Sequence, residues 1–113
     1  MRRPSKTNSS VSVTEAPSLL KSSNGTYFLF FSSGCFATPN YTVSYATASN
    51  LTGPYTRANG PLFKTGDGNG LKAPGGMSIW SDNRHMVLHA NYGSGRAMYT
   101  TLIALRGNEV VLV

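Results

Sequence analysis

Two passages of this chain form a weak internal repeat. EAPSLLKSSNGTYFLFFSS, residues 15–33, lies over KAPGGMSIWSDNRHMVLHAN, residues 72–91, with Ala-Pro at 16–17 and again at 73–74. Each copy runs from a short apolar stretch through a polar turn into a longer β-prone stretch. The first copy predicts strands at 17–21 and 26–33, joined by an Asn24-Gly25 hairpin turn. Residues 41–48 then alternate with period two. A turn at Gly53-Pro54 leads to a short edge strand near Pro61 to Lys64. After the Gly-rich break TGDGNGLKAPGG the order repeats, with strands at 77–81, 85–91, 96–105 and 109–113. No segment keeps a helical period beyond a turn or two. Four-stranded antiparallel units recurring at roughly 55 to 60 residues mark the blades of a β-propeller. Two blades cannot close a ring, so this reading leaves open edges. An eight-stranded β-sandwich is the competing all-β architecture, and the strand pattern alone leaves both open.

Composition narrows the class. Twelve Gly and six Pro divide 113 residues into short segments, and only 12% of residues are charged. That suits one small β-rich domain rather than a disordered chain or a long solvated helix. The net charge is +6, but only Arg2, Arg3 and Lys6 cluster, and no basic stripe interleaves with aromatics. Nucleic acid is therefore not the expected partner. No apolar run approaches the ~20 residues that span a membrane, so no membrane association is expected. Cys35 is alone, which excludes an internal disulfide and a thiolate metal cluster. Residues 1–11 are polar and Ser-rich, a flexible N-terminal segment with no apolar stretch of a signal peptide. Four N-x-S/T triplets, at Asn8, Asn24, Asn40 and Asn50, nevertheless point to secretory surface chemistry.

The chain has four carboxylates: Glu15, Asp67, Asp82 and Glu109. Asp67 and Asp82 lie in Gly- and Asn-containing turns, the usual place for a structural Asp. Glu15 stands ahead of Ala-Pro at a strand entrance. Pro17 fixes its own φ and is expected to restrain Ala16 to an extended conformation, holding the Glu15 carboxyl at a set angle.

Three segments in order, EAPSLLKSSNGTYFLFFSSGCFATPNYTVSYATASNLTGPYT, LKAPGGMSIWSDNRHMVLHA and GRAMYTTLIAL, resemble glycoside hydrolase family 43 over about Val13 to Leu105. These are five-bladed β-propeller glycosidases, arabinofuranosidases and xylosidases among them, acting on arabinose- and xylose-containing glycans. The resemblance implies two blades of an incomplete propeller. It makes 12–113 a partial glycoside hydrolase domain, with blade-like units about 12–64 and 73–113. It also implies the C-terminal portion of a longer hydrolase with extracellular, secreted relatives. It makes Glu15 the general acid of an inverting mechanism. In that mechanism a protonated carboxyl serves the leaving oxygen, and a second carboxylate ~6.5 to 9.5 Å away activates water. The family's base, an Asp on an earlier blade, has no counterpart in this chain. Arg96, which opens the strand after a Gly-Ser-Gly loop, corresponds to a sugar-contacting Arg. A guanidinium offers several fixed donors to hydroxyls. Cys35 falls beside the sugar pocket as a small wall residue, and Phe36 could pack against a sugar face. Plain packing is the other reading of both.

His89 could serve core hydrogen bonding or a site near the propeller axis. Trp80 and the tyrosines are read as core aromatics. No metal ligands or cofactors are expected. Many family members carry a His after the Pro-Gly that opens the fifth blade, and this chain has Gly76 there, which puts an axial calcium in doubt. The function expected is hydrolysis of O-glycosyl bonds in plant polysaccharides, a part of carbohydrate metabolism, with the isolated chain inactive for want of a base. The alternatives are a non-catalytic glycan-binding or self-associating β module, and a truncated gene product. The carbohydrate is the expected partner, with further blades or self-association covering the open edges.

Overall fold

The computed structural model describes residues 14–35, 38–68 and 70–113. The segment 1–11, Phe36 and the Asn8 triplet lie outside the described residues. Every regular element described is a strand: β1 (Thr14–Lys21), β2 (Tyr27–Ser33), β3 (Thr42–Ala48), β4 (Thr56–Arg57), β5 (Gly75–Ile79), β6 (His85–Tyr92), β7 (Gly95–Arg106) and β8 (Glu109–Leu112). No helix among them is long and apolar enough to cross a membrane. The strands form two four-stranded antiparallel sheets, ordered β1-β2-β3-β4 and β5-β6-β7-β8. No strand crosses from one sheet to the other. A sandwich would ordinarily need Greek-key connections between sheets, so the architecture is that of two consecutive blades of an incomplete propeller.

Local sequence explains the meanders. At the Asn-Gly turn, Gly25 takes a φ of 88° and Asn24 Oδ1 accepts from the Thr26 N–H, closing the β1–β2 hairpin. Asp82 does the same work between β5 and β6, where its Oδ1 accepts from the N–H groups of Arg84 and His85. On β2 the period-two alternation sends Phe28 and Phe30 to one face, opposite Thr47 and Tyr45 of β3. That face meets Met77, Met86, Leu88 and Ile103 of the second sheet in one core. Phe28, Phe30, Val43, Met86 and Ile103 are fully buried there. Each such side chain contributes about 1.5–3 kcal/mol of burial.

β5 lies against β1, β2 and β3. Three polar links bridge the sheets. The Val110 N–H donates to the Tyr45 hydroxyl at 3.1 Å, Asn83 Nδ2 donates to the Lys21 carbonyl at 3.1 Å, and the Gly76 N–H donates to Ser32 Oγ at 2.7 Å.

Three expectations change. The edge strand expected near Pro61 to Lys64 is earlier, at Thr56–Arg57, and Phe63 joins β3 only through an isolated bridge to Val43. Pro61 has no N–H to give the ladder, so pairing breaks between Ala58 and Leu62. Ala16 is not extended: its φ is 53°, and its repeat counterpart Ala73 has 51°. A register irregularity follows each, between Glu15 and Ser18 and between Gly75 and Ser78. The repeat therefore extends to the backbone, with a bulge that turns both entrances. Finally, Trp80 is not core but 68% exposed. β5 ends at Ile79, and the Trp80 N–H closes the turn to the His85 carbonyl.

Candidate active site

Glu15 sits at the start of β1, exposed, opposite Ser32 of β2. Its Oε1 accepts a hydrogen bond from the Tyr41 hydroxyl at 3.0 Å. Tyr41 precedes β3 and is 2% exposed. Its ring lies over the inner edge of the second sheet, where Gly75 leaves room. A Cβ on Gly75 would come within 2.0 Å of Tyr41 Cε2. The same ring stacks near the His89 imidazole, with centroids 6.3 Å apart, and the Arg96 guanidinium lies 5.6 Å from its centroid.

Arg96, near the start of β7, faces Asn91 across the β6–β7 pair. Its Nε donates to His89 Nδ1 at 2.7 Å. Nη1 donates to Asn91 Oδ1 at 2.5 Å, and Nη2 to the carbonyls of Ala73 and His89 at 2.6 and 3.1 Å. A guanidinium has five N–H donors. These contacts use four, which leaves one N–H on Nη1 for another acceptor. Because His89 Nδ1 accepts, the neutral imidazole carries its proton on Nε2. Nε2 occupies the space a side chain at position 76 would fill, 2.0 Å from where a Gly76 Cβ would stand.

Burial, then the Arg96 charge, lowers the His89 pKa, with Glu15 opposing. Burial raises that of Tyr41. The Ser32 hydroxyl opposes the rise, the bond to Glu15 and its charge add to it, and the Arg96 charge lowers it.

The fold thus brings Glu15 and Arg96 from different sheets into one cluster. Tyr41 and His89 are the links; the sequence reading left His89 between core hydrogen bonding and a site near the axis, and gave Tyr41 no role beyond a core aromatic. The period-two alternation that places Val43 and Tyr45 inward also places Tyr41 inward, but no local signal reports where its hydroxyl goes. Cys35 is an exposed free thiol in the loop after β2, its carbonyl accepting from the Thr38 N–H and hydroxyl. The remaining carboxylates stand apart from this cluster. Asp67 pairs with Lys64 at 2.8 Å, and its pKa is lowered chiefly by hydrogen bonding to Lys64. Asp82 pairs with His85, and the backbone N–H groups of His85 and Arg84 lower its pKa to about 2. A cleft of about 400 Å³ lies at the turn end of the blades, lined by Ser22, Asn24, Asp82, Asn83 and Gly107, and touches none of the cluster.

Among the described residues no three His, Cys, Asp or Glu side chains converge. The His89 Nδ1 lone pair is taken by Arg96, and a guanidinium beside the imidazole repels a cation.

The family model "Glycosyl hydrolases family 43" matches residues 2–105. Among solved structures, an endo-1,4-beta-xylanase from Bacteroides thetaiotaomicron superposes with a TM-score of 0.77 at 28% identity, covering 89% of this chain and 38% of that one. A thermostable family-43 glycoside hydrolase gives 0.78 at 24% identity, covering 96% of this chain and 39% of that one. An alpha-L-arabinanase from Cellvibrio cellulosa, complexed with arabinohexaose, gives 0.72 at 21% identity, covering 88% and 36%. The last two similarities speak to the fold alone. The chain spans less than two-fifths of the length of each of these structures. No curated protein matches it.

Proposed function

Because the chain belongs to glycosyl hydrolases family 43, we propose that it is the C-terminal portion of a glycosidase cleaving O-glycosyl bonds in arabinose- or xylose-containing polysaccharides. The observation that carries this is the meeting of Glu15 with Arg96, through Tyr41 and His89, at the entrance of both blades. Glu15 is the general acid of an inverting reaction, and Arg96 offers its remaining N–H to a sugar hydroxyl. Cys35 borders the sugar as a small wall residue, and Phe36, next to it in sequence, lies outside the described residues. Residues 12–113 form the partial domain, in units about 12–64 and 73–113.

The second carboxylate must stand ~6.5 to 9.5 Å from the acid with water between. Asp67 and Asp82 are committed to turns and Glu109 opens β8, so the base comes from another segment. Further blades of the ring bring it. They also cover the faces where Leu19 and Met98 stand 47% and 69% exposed. The exposed Asn24, Asn40 and Asn50 suit a secreted surface. The xylanase and the arabinohexaose-bound arabinanase among the similar structures support a glycan as partner.

The pure 113-residue chain, incubated with arabinan or xylan, is expected to release no reducing sugar. Release at a rate typical of glycosidases would contradict the assignment of the base to another segment.

A further inference from the structure

We infer that Tyr41 is the positioning residue of Glu15, holding Oε1 so that Oε2 faces the glycosidic oxygen. This rests on the reading of Glu15 as the acid. Glu15 is an exposed side chain on the first turn of a bulged strand entrance. A free Glu carries up to about 2 kcal/mol of rotamer entropy. A general acid must instead hold its proton within ~2.6–3.2 Å of the oxygen it protonates. Among the described residues, the Tyr41 hydroxyl is what anchors the carboxyl.

Tyr41 is itself fixed from three sides. Gly75 lies under the ring at a distance no other residue type allows, Arg96 lies over it, and His89 stacks beside it. Arg96 is in turn held by Asn91 and by the carbonyls of Ala73 and His89. The second sheet therefore sets the position of a carboxyl on the first.

The hydrogen bond also changes strength along the reaction. As the glycosidic C–O bond breaks, its electron pair stays with the leaving oxygen. That oxygen takes the proton from Oε2. A water attacks the anomeric carbon and gives its own proton to the carboxylate base contributed by another segment. Glu15 gains negative charge through this step, and a phenol O–H bonds an ionised carboxylate more strongly than a neutral one. Tyr41 then stabilises the transition state more than the ground state, which appears in kcat rather than in KM.

The test has two parts. In the ring-complete protein that contains this chain, Tyr41→Phe keeps the ring packing and removes the donor. Turnover of an arabino- or xylo-oligosaccharide is expected to fall about 10- to 100-fold in kcat, the worth of a hydrogen bond to a charged group. KM should move less than about threefold. An aryl glycoside whose leaving group needs no proton should keep its rate within about threefold. In the 113-residue chain, the Tyr41 phenol is followed by carbon NMR through its ionisation. Replacing Glu15 by Gln should lower the pH at which Tyr41 ionises, because the charge of Glu15 is removed and the phenol's hydrogen bond is left with a neutral amide oxygen while burial remains.

An unchanged Tyr41 titration would overturn the inference by removing the contact. A responsive titration with unaltered Tyr41→Phe kinetics on the oligosaccharide would overturn Tyr41's role alone. If Glu15→Gln itself leaves oligosaccharide turnover intact, the acid assignment falls and Tyr41's role falls with it.

Discussion

Replacing Gly76 with Ala tests how tightly β5 packs against the His89 imidazole of β6 at the site. Gly76 has a φ of 60°, and a Cβ there would stand 2.0 Å from His89 Nε2. The left-handed conformation costs Ala about 1–2 kcal/mol. The imidazole must retreat by more than an ångström, but Tyr41 and Arg96 back it, so overpacking adds about 1–3 kcal/mol. Losing the Arg96 Nε to His89 Nδ1 bond adds about 1 kcal/mol. The stiffer unfolded chain returns about 0.4–1 kcal/mol. The net loss is about 2–6 kcal/mol, a large share of the 5–15 kcal/mol typical of a domain.

Urea unfolding gives the assay, read as a fall in midpoint at constant slope. Gly93 supplies the control, since it has a φ of 58° and nothing within 4 Å of its Cβ position. Gly93→Ala therefore reports backbone strain alone. In a His89→Ala background the clash partner is gone, and Gly76→Ala should then cost no more than Gly93→Ala, a coupling that a double-mutant cycle measures. If Gly76→Ala matches Gly93→Ala to within about 0.5 kcal/mol in the wild-type background, His89 does not occupy that space and the argument fails.

Two further outcomes follow from the same geometry. His89 is held below its ordinary value of 6.5 by burial and by Arg96, with Glu15 opposing, so the unfolded chain takes up the proton first. Stability is then full above about pH 6.5 and declines as pH falls toward the depressed folded value. Melting followed from pH 7.5 to 5 should show a slope that His89→Gln flattens, and an unchanged slope would refute the assignment. Ala16→Gly relieves a left-handed Ala of about 1–2 kcal/mol against about 0.5–1 kcal/mol of added chain entropy, so stability should hold or rise slightly. Ala16→Val should destabilise at the same φ, and a stabilising Val would mean the entrance is extended after all.

What the sequence revealed, and what it did not, divides along a physical line. β2 was legible because a β-prone run follows an Asn-Gly turn, and β3 because residues 41–48 alternate with period two, all local signals. The repeat was legible as paired Ala-Pro entrances, though its left-handed alanines and bulges were not. The residue before Pro ordinarily prefers extended backbone, and the sheet edge overrode that preference. Trp80 read as core because β-strand aromatics usually are, yet it falls one residue past the end of β5. Glu15 and Arg96 were named through family resemblance. What joins them is the meeting of Tyr41 with His89 and Arg96 across the two sheets, where spacing along the chain carries no information.

The central claim is that Glu15 donates the proton to the leaving sugar. The direct measurement is the rate of Glu15→Gln in the ring-complete protein, on an oligosaccharide and on an aryl glycoside with a good leaving group. The account predicts that kcat on the oligosaccharide falls about 10²- to 10⁴-fold while the activated glycoside keeps most of its rate. Equal losses on both substrates, or no loss on either, would contradict it.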